Sequence, residues 1–238
     1  FRGGSKPKQA PSIFNDVLGP IMTGPSSSHT AAPTRIGKMA AELLAGKLKK
    51  AIITFETKGS FAACYQTQRS DKGLIGGLLG WDPEDERIPS AEQHADAQGV
   101  TVIFQSEDFP ADHPNTAKIT VESVTGESIS LVALSVGGGM FEIIEIAGFT
   151  VLIAGDYYEL LIVTPSPQAE SVATHSLGLL SGQRISCHIA SQTQRDGYTL
   201  LNIKSSQPVP DVLLSNLKST TGTESVKYLR PVLPIISQ

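Results

Sequence analysis

The chain of 238 residues carries a formal net charge of −4, is 40% hydrophobic and 18% charged, and contains two cysteines. An acidic balance argues against nucleic acid and the membrane surface as partners, and two thiols are too few for a disulfide framework or for an iron–sulfur cluster held by this chain alone. No apolar run approaches the roughly 20 residues that span a bilayer, so a cytoplasmic protein is the expectation, with organellar import left open by the basic, Gly- and Pro-rich residues 1–11, which read as a flexible extension.

In chain order, residues 12–18 are apolar enough for a helical turn, and they lead into Gly24-Pro25-Ser26-Ser27-Ser28-His29-Thr30. Behind this motif Ile36, Met39, Ala40, Leu43 and Leu44 recur at three- and four-residue spacing, which predicts an amphipathic helix over residues 31–44. The motif is then the entrance to that helix, with Pro33 in the first turn, where its missing donor costs little. Unpaired N–H groups, the positive end of the macrodipole and four hydroxyls together make a receptor for a carboxylate or phosphate. Plain capping is the competing reading, although one cap needs one hydroxyl and the stretch offers four with an imidazole beside them.

Residues 50–57 read as a strand, and residues 74–79, with three nearby glycines, as a tightly packed helix. Polar residues 82–98 belong on the surface with a short helix from residue 90. Strands follow at 100–104, 118–124 and 128–136, the second preceded by the polar patch His113-Pro114-Asn115-Thr116. Gly137-Gly138-Gly139 lets a backbone approach a ligand or a neighbouring chain; a flexible turn before the apolar residues 141–144 is the alternative. The pattern changes near residue 155. A strand at 157–164, a helix at 168–180, a hairpin of 184–192 and 198–204 across Arg195-Asp196-Gly197, a helix at 209–217 and a strand at 225–233 make a ferredoxin-like β-α-β-β-α-β module. The expected fold class is therefore α/β (α+β) in two domains, 12–155 and 156–238.

Gly-Pro-Ser-Ser-Ser-His-Thr, the Gly59-Ser60 segment with Ser70-Asp71-Lys72, the His113 patch and Ser135-Val136-Gly137-Gly138-Gly139 occur in one order. Together they resemble the β chain of the iron–sulfur-dependent L-serine dehydratases, and the C-terminal module is similar to an ACT domain. The resemblance implies a lyase shared between two chains. A cysteine-rich α partner holds a [4Fe–4S] cluster whose free iron acts as a Lewis acid on the substrate hydroxyl, and serine yields pyruvate and ammonia. It implies that this chain holds no metal and that Ser26, Ser27, Ser28, His29 and Thr30 receive the substrate carboxylate as catalytic-site groups. Gln68, Arg69, Ser70, Asp71, His113, Asn115, Gly137, Gly138 and Gly139 would line the substrate side. For His113 a loop role and a direct role stay open, and for Asp71 and Lys72 a structural ion pair or cap is favoured. The ACT-like domain would serve homodimerisation.

Two positions depart from the family. Where its members resemble Gly-His-Gly-Thr-Asp-Lys, this chain has Thr67-Gln68-Arg69-Ser70-Asp71-Lys72, so Gln68 replaces an imidazole with a group that takes no proton near neutral pH, and Arg69 adds a fixed charge where a glycine stands. In the ACT-like module, Thr164-Pro165-Ser166-Pro167-Gln168 replaces a loop resembling Asp-x-Pro-Gly. Three readings follow: a dehydratase subunit for serine or for an altered hydroxy amino acid, a non-catalytic regulatory or small-anion-binding subunit, and an anion-sensing domain like those that regulate some phosphoglycerate dehydrogenases.

Overall fold

The computed structural model describes residues 27–44, 46–59, 69–111 and 113–234, and for residues 27–29 the backbone alone. The first sheet has six strands: β1 (Leu48–Glu56), β2 (Thr101–Glu107), β3 (Thr116–Ser123), β4 (Ser128–Gly137), β5 (Met140–Ile146) and β6 (Phe149–Ile153). Their order is β2-β1-β3-β4-β5-β6. Only β1 and β2 are parallel, because their connection is a long crossover, through α2 (Ser70–Leu78) and α3 (Ala91–Ala97), and not a hairpin. Alternation sets the faces: Ala51, Ile53 and Phe55 of β1 and Ala117, Ile119 and Val121 of β3 share one buried face, which α1 (Ser27–Leu44) covers.

Helix α1 runs Ser27–Leu44, and its predicted stripe, Ile36, Met39, Ala40, Leu43 and Leu44, is buried. It starts at least four residues earlier than the spacing predicts. Ser27, Ser28, His29 and Thr30 are thus helical residues and not an approach to the helix, and Pro33 is interior and not in the first turn. An interior proline offers no N–H to the carbonyl four residues back, here that of His29.

α2 lies against α1 at backbone distance. A Cβ on Gly77 would sit 1.9 Å from the Thr34 carbonyl oxygen, one on Gly37 2.4 Å from that of Leu74, and one on Gly73 2.8 Å from that of Thr30. Residue numbers rise together along both helices, so the pair is parallel and the two N-termini lie at one end. Trp81, under the Arg87 guanidinium at 4.4 Å and edge-on to His94 at 5.2 Å, closes the far end of α2.

The second sheet holds β7 (Tyr158–Pro165), β8 (Cys187–Arg195), β9 (Tyr198–Ser205) and β10 (Ser225–Leu229), with α4 (Ala169–Gly182) and α5 (Asp211–Lys218) in the β-α-β-β-α-β order read from the sequence. The order in the sheet is β10-β7-β9-β8, antiparallel throughout. β10 stops at Leu229 and not at 233: Pro231 follows, and the N–H groups of Val232 and Leu233 turn to the Gly155 carbonyl. β6, not foreseen as a strand, follows a turn of Ala147 (φ 49°) and Gly148 (φ 83°).

One face of the second sheet packs on α4 and α5; the other joins the first core. Leu161, Leu200 and Leu229 belong to the same buried cluster as Leu44, Phe141 and Ile153. Arg195 lies over Gly148 and its Nη1 donates to the Ala147 carbonyl at 2.9 Å, the backbone N–H of Arg230 donates to Glu42 at 2.8 Å, and Lys227 pairs with Glu127. Residues near 155 therefore mark a change of sheet within one continuous core. On the inward face Glu159 is fully buried, receiving a hydrogen bond from Asn202 Nδ2 at 2.7 Å and lying 3.3 Å from Lys204 Nζ. Burial dominates these partners and pushes its carboxyl from 4.5 up to about 7.

Gly77→Ala is expected to force α1 and α2 apart at a cost of about 1–3 kcal/mol, whereas Gly178→Ala, helical and facing open space, gains about 0.5–1 kcal/mol; urea unfolding of both variants checks the contrast. The folded state holds the Glu159 proton more tightly than the unfolded chain does. Its contribution to stability is therefore full below pH 4.5 and lost as pH rises through about 7. Glu159→Gln is expected to flatten that fall, read as unfolding free energy against pH.

Candidate functional site at the shared helix and strand end

The polar groups buried in the first half of the chain gather where α1 and α2 begin. Helix α1 is joined to the start of β1 by residues 45–47, so its N-terminus lies at the opposite end of the sheet. There β1 ends, β3 begins, β4 ends and β5 begins. Thr30, Arg35, Ser70, Asp71, Ser135, Thr116, Thr54 and Glu56 are all buried at this end. Burying so many polar groups together costs folding free energy unless they are bonded, and it marks a site more than a core.

Two positive macrodipole ends converge here, each equivalent to roughly half a charge. Thr30 is 1% exposed and its hydroxyl has no hydrogen-bond partner among the described residues, although its carbonyl accepts from Thr34 Oγ1 at 2.7 Å. Ser70 and Asp71 occupy the first turn of α2. Asp71 accepts the Lys72 backbone N–H at 2.8 Å, and burial pushes its carboxyl up against that bond. The Lys72 ammonium turns to the Pro89 carbonyl at 3.0 Å, so of the ion pair or cap expected for Asp71 and Lys72 the structure shows the Asp71 carboxylate on a backbone N–H. Arg69 precedes α2 in the left-handed region, φ 62° and ψ 24°, with its side chain exposed. A glycine adopts that conformation freely, which accounts for the glycine the sequence pattern leads one to expect here.

Gly137, Gly138 and Gly139 form the tight β4–β5 turn with φ of 95°, 60° and 80°, so the turn reading holds. The turn also meets α1, since Arg35 Nη1 donates to the Gly139 carbonyl at 2.6 Å. The His113 patch folds on itself. His113 Nδ1 accepts the Asn115 N–H at 3.1 Å, which leaves the proton of a neutral ring on Nε2. Thr116 Oγ1 donates to the His113 carbonyl at 2.6 Å, and the Asn115 carbonyl accepts the Ser135 N–H at 3.0 Å. His113 lines an open cavity of about 530 Å³ with Glu56, Lys58 and Phe109.

The structure thus brings Thr30, Arg69, Ser70, Asp71, His113, Asn115 and the three glycines to one end of the first sheet. Ser26 and Gln68 lie outside the described residues, and Ser27, Ser28 and His29 are placed by backbone alone, in the first turn of α1. Arg35 and Glu56 are absent from the sequence reading. The signal for Glu56 is a carboxylate ending an otherwise apolar strand; for Arg35 it is a charge beside the apolar stripe, whose partner is 104 residues away. Cys187 is half-buried, with burial raising its thiol, and Cys64 lies outside the described residues. Among the described residues no group of three or more His, Cys, Asp or Glu is placed to hold a metal, so they do not fit an iron–sulfur cluster. Nor is any described helix long and apolar enough to cross a membrane.

Comparison with known proteins points to one family. The family described as serine dehydratase beta chain matches residues 12–101. The chain is 45% identical over 152 residues to the probable L-serine dehydratase, beta chain, of Bacillus subtilis (strain 168), covering 64% of this chain and 67% of that one. It is 29% identical over 218 residues to the L-serine dehydratase, beta chain, of Peptoniphilus asaccharolyticus, covering 90% and 96%. It is also 29% identical over 142 residues to L-serine dehydratase 2 of Escherichia coli (strain K12), covering 50% and 31%.

Thr30→Val tests what the orphan hydroxyl is for. Removing a buried hydroxyl that bonds nothing leaves stability unchanged or raised, while binding of small carboxylates weakens about ten- to a hundredfold, the loss of one hydrogen bond to a charged group. Thermal unfolding with and without acetate or L-serine separates the two effects.

Proposed function

The chain belongs to the serine dehydratase beta chain family, and from that premise we propose that it is the substrate-carboxylate-binding subunit of a two-chain dehydratase acting on L-serine or a related hydroxy amino acid. The observation that carries the reading is the parallel pair α1 and α2, which sets two helix starts side by side with a buried, unpartnered Thr30 hydroxyl in the first of them. A carboxylate placed there gains N–H donors and two dipole ends, with no reorganisation needed at the moment of binding.

In this reading a cysteine-rich α chain carries a [4Fe–4S] cluster, since the residues described here do not fit one. The cluster supplies Lewis acidity toward the substrate hydroxyl. This chain supplies position: Ser26 to Thr30 with Ser70 hold the carboxylate, the glycine turn allows the partner's surface to come close, and His113 presents Nε2–H on the substrate side. Loss of water from serine gives an enamine, which tautomerises and hydrolyses to pyruvate and ammonia. The ACT-like second sheet serves assembly, β8 offering an open edge.

A second reading has one observation in its favour. Gln68 cannot act as a base where the family carries histidine, so a non-catalytic, anion-binding subunit is the alternative. The test is anaerobic co-purification with the partner from the native source, followed by assay of 2-oxo acid release. Cluster absorbance with turnover of a hydroxy amino acid is expected. Gln68→His then raises L-serine turnover by at least about 100-fold if only the base is lost, and lowers turnover of another substrate if specificity has changed. A complex inactive with either residue supports the non-catalytic reading.

A further inference from the structure

The cavity beside His113 holds a charge that nothing described answers. Glu56, the last residue of β1, is 9% exposed and lines the cavity, yet it has no hydrogen-bond or ion-pair partner among the described residues. Its cross-strand neighbour in the parallel β1–β2 pair is Glu107, a second carboxylate, which is exposed and accepts from Gln105 Nε2 at 2.9 Å. Asp108 follows on the rim. The one cation lining the cavity, Lys58, has its side chain 80% exposed and stands 3.9 Å from Asp108. The side chains of Phe109, Pro110, Ala111 and Pro114 add no donor to a carboxylate, and His113 adds a single ring N–H.

A carboxylate nine-tenths buried, flanked by two more and unmatched by a cation, is a receptor for a positive, hydrogen-bond-donating group. The described residues offer no set of ligands for a metal. We infer that Glu56 receives the ammonium group of a small amino-acid ligand at this cavity. The assignment rests on the function proposed above for the choice of amino acid, and it deepens it: the site is built for an amino acid and discriminates against the matching hydroxy acid.

The test compares L-serine with 3-hydroxypropionate, which differs by the ammonium group alone, in equilibrium binding to the isolated full-length chain, where no partner cluster is present to consume serine. Wild type is expected to bind L-serine at least tenfold more tightly than 3-hydroxypropionate. Glu56→Gln keeps the shape and removes the charge, and is expected to bring the two within about twofold by weakening L-serine alone, the loss expected for one charge-assisted bond. If that variant does not fold, Glu56→Asp, which withdraws the charge by one methylene, should retain a reduced preference. Absence of an ammonium preference in wild type, or an undiminished preference in either variant, overturns the assignment. Turnover by the complex is read separately, so that an intact, Glu56-dependent preference without turnover removes the dehydratase reading and leaves this one standing.

Discussion

Everything at the site depends on two helices meeting where side chains would keep them apart. Gly37, Gly73 and Gly77 remove the three Cβ atoms that would strike carbonyls of the opposite helix, and the backbones close to a distance that only glycines permit. Parallel helices at such range bring like dipole ends together, which is unfavourable electrostatically. The packing of Leu74, Ile75 and Leu78 against Ile36, Met39 and Ala40 outweighs that repulsion. The convergence of two helix starts is thus a by-product of a hydrophobic contact, built into the fold.

The rest of the first sheet shows the same division between core and site. Along the strands the residues facing α1 are mostly apolar, Ser123 at the far end of β3 excepted, until the site end, where Ser135 and the polar ends of β1 and β3 take over. Folding strength is concentrated in the middle and chemistry at one margin. Arg35 spans the two, its stem among the apolar residues of α1 and its guanidinium on the glycine turn. It ties that turn to α1.

What could be read from the sequence was what repeats or what punctuates. The α1 stripe, the Asp196-Gly197 hairpin and the triple-glycine turn carry local signals, and the structure contains each of them. The family likeness followed from the motifs in one order. The early start of α1 was hidden because serine and threonine are better known as caps than as helical residues, and the interior Pro33 argued for a boundary that tertiary packing overrides. β6 was hidden behind a turn that opens with alanine, a residue that rarely takes positive φ. Glu56, Arg35 and Glu159 owe their significance to burial, which is decided by residues far along the chain, and no local pattern announces it.

The continuity of the two cores bears on how this protein can communicate with whatever it joins. Because Leu229 and the Arg230 N–H grip the C-terminal half of α1, and the N-terminal half of the same helix opens the site, one rigid rod touches both sheets. A displacement of the second sheet reaches the helix starts as a tilt of that rod and not through a flexible linker. By the symmetry of linked equilibria, a ligand seated at the helix starts must in turn bias how the second sheet sits. The C-terminal module is in this sense the long arm of a lever whose short arm carries the site.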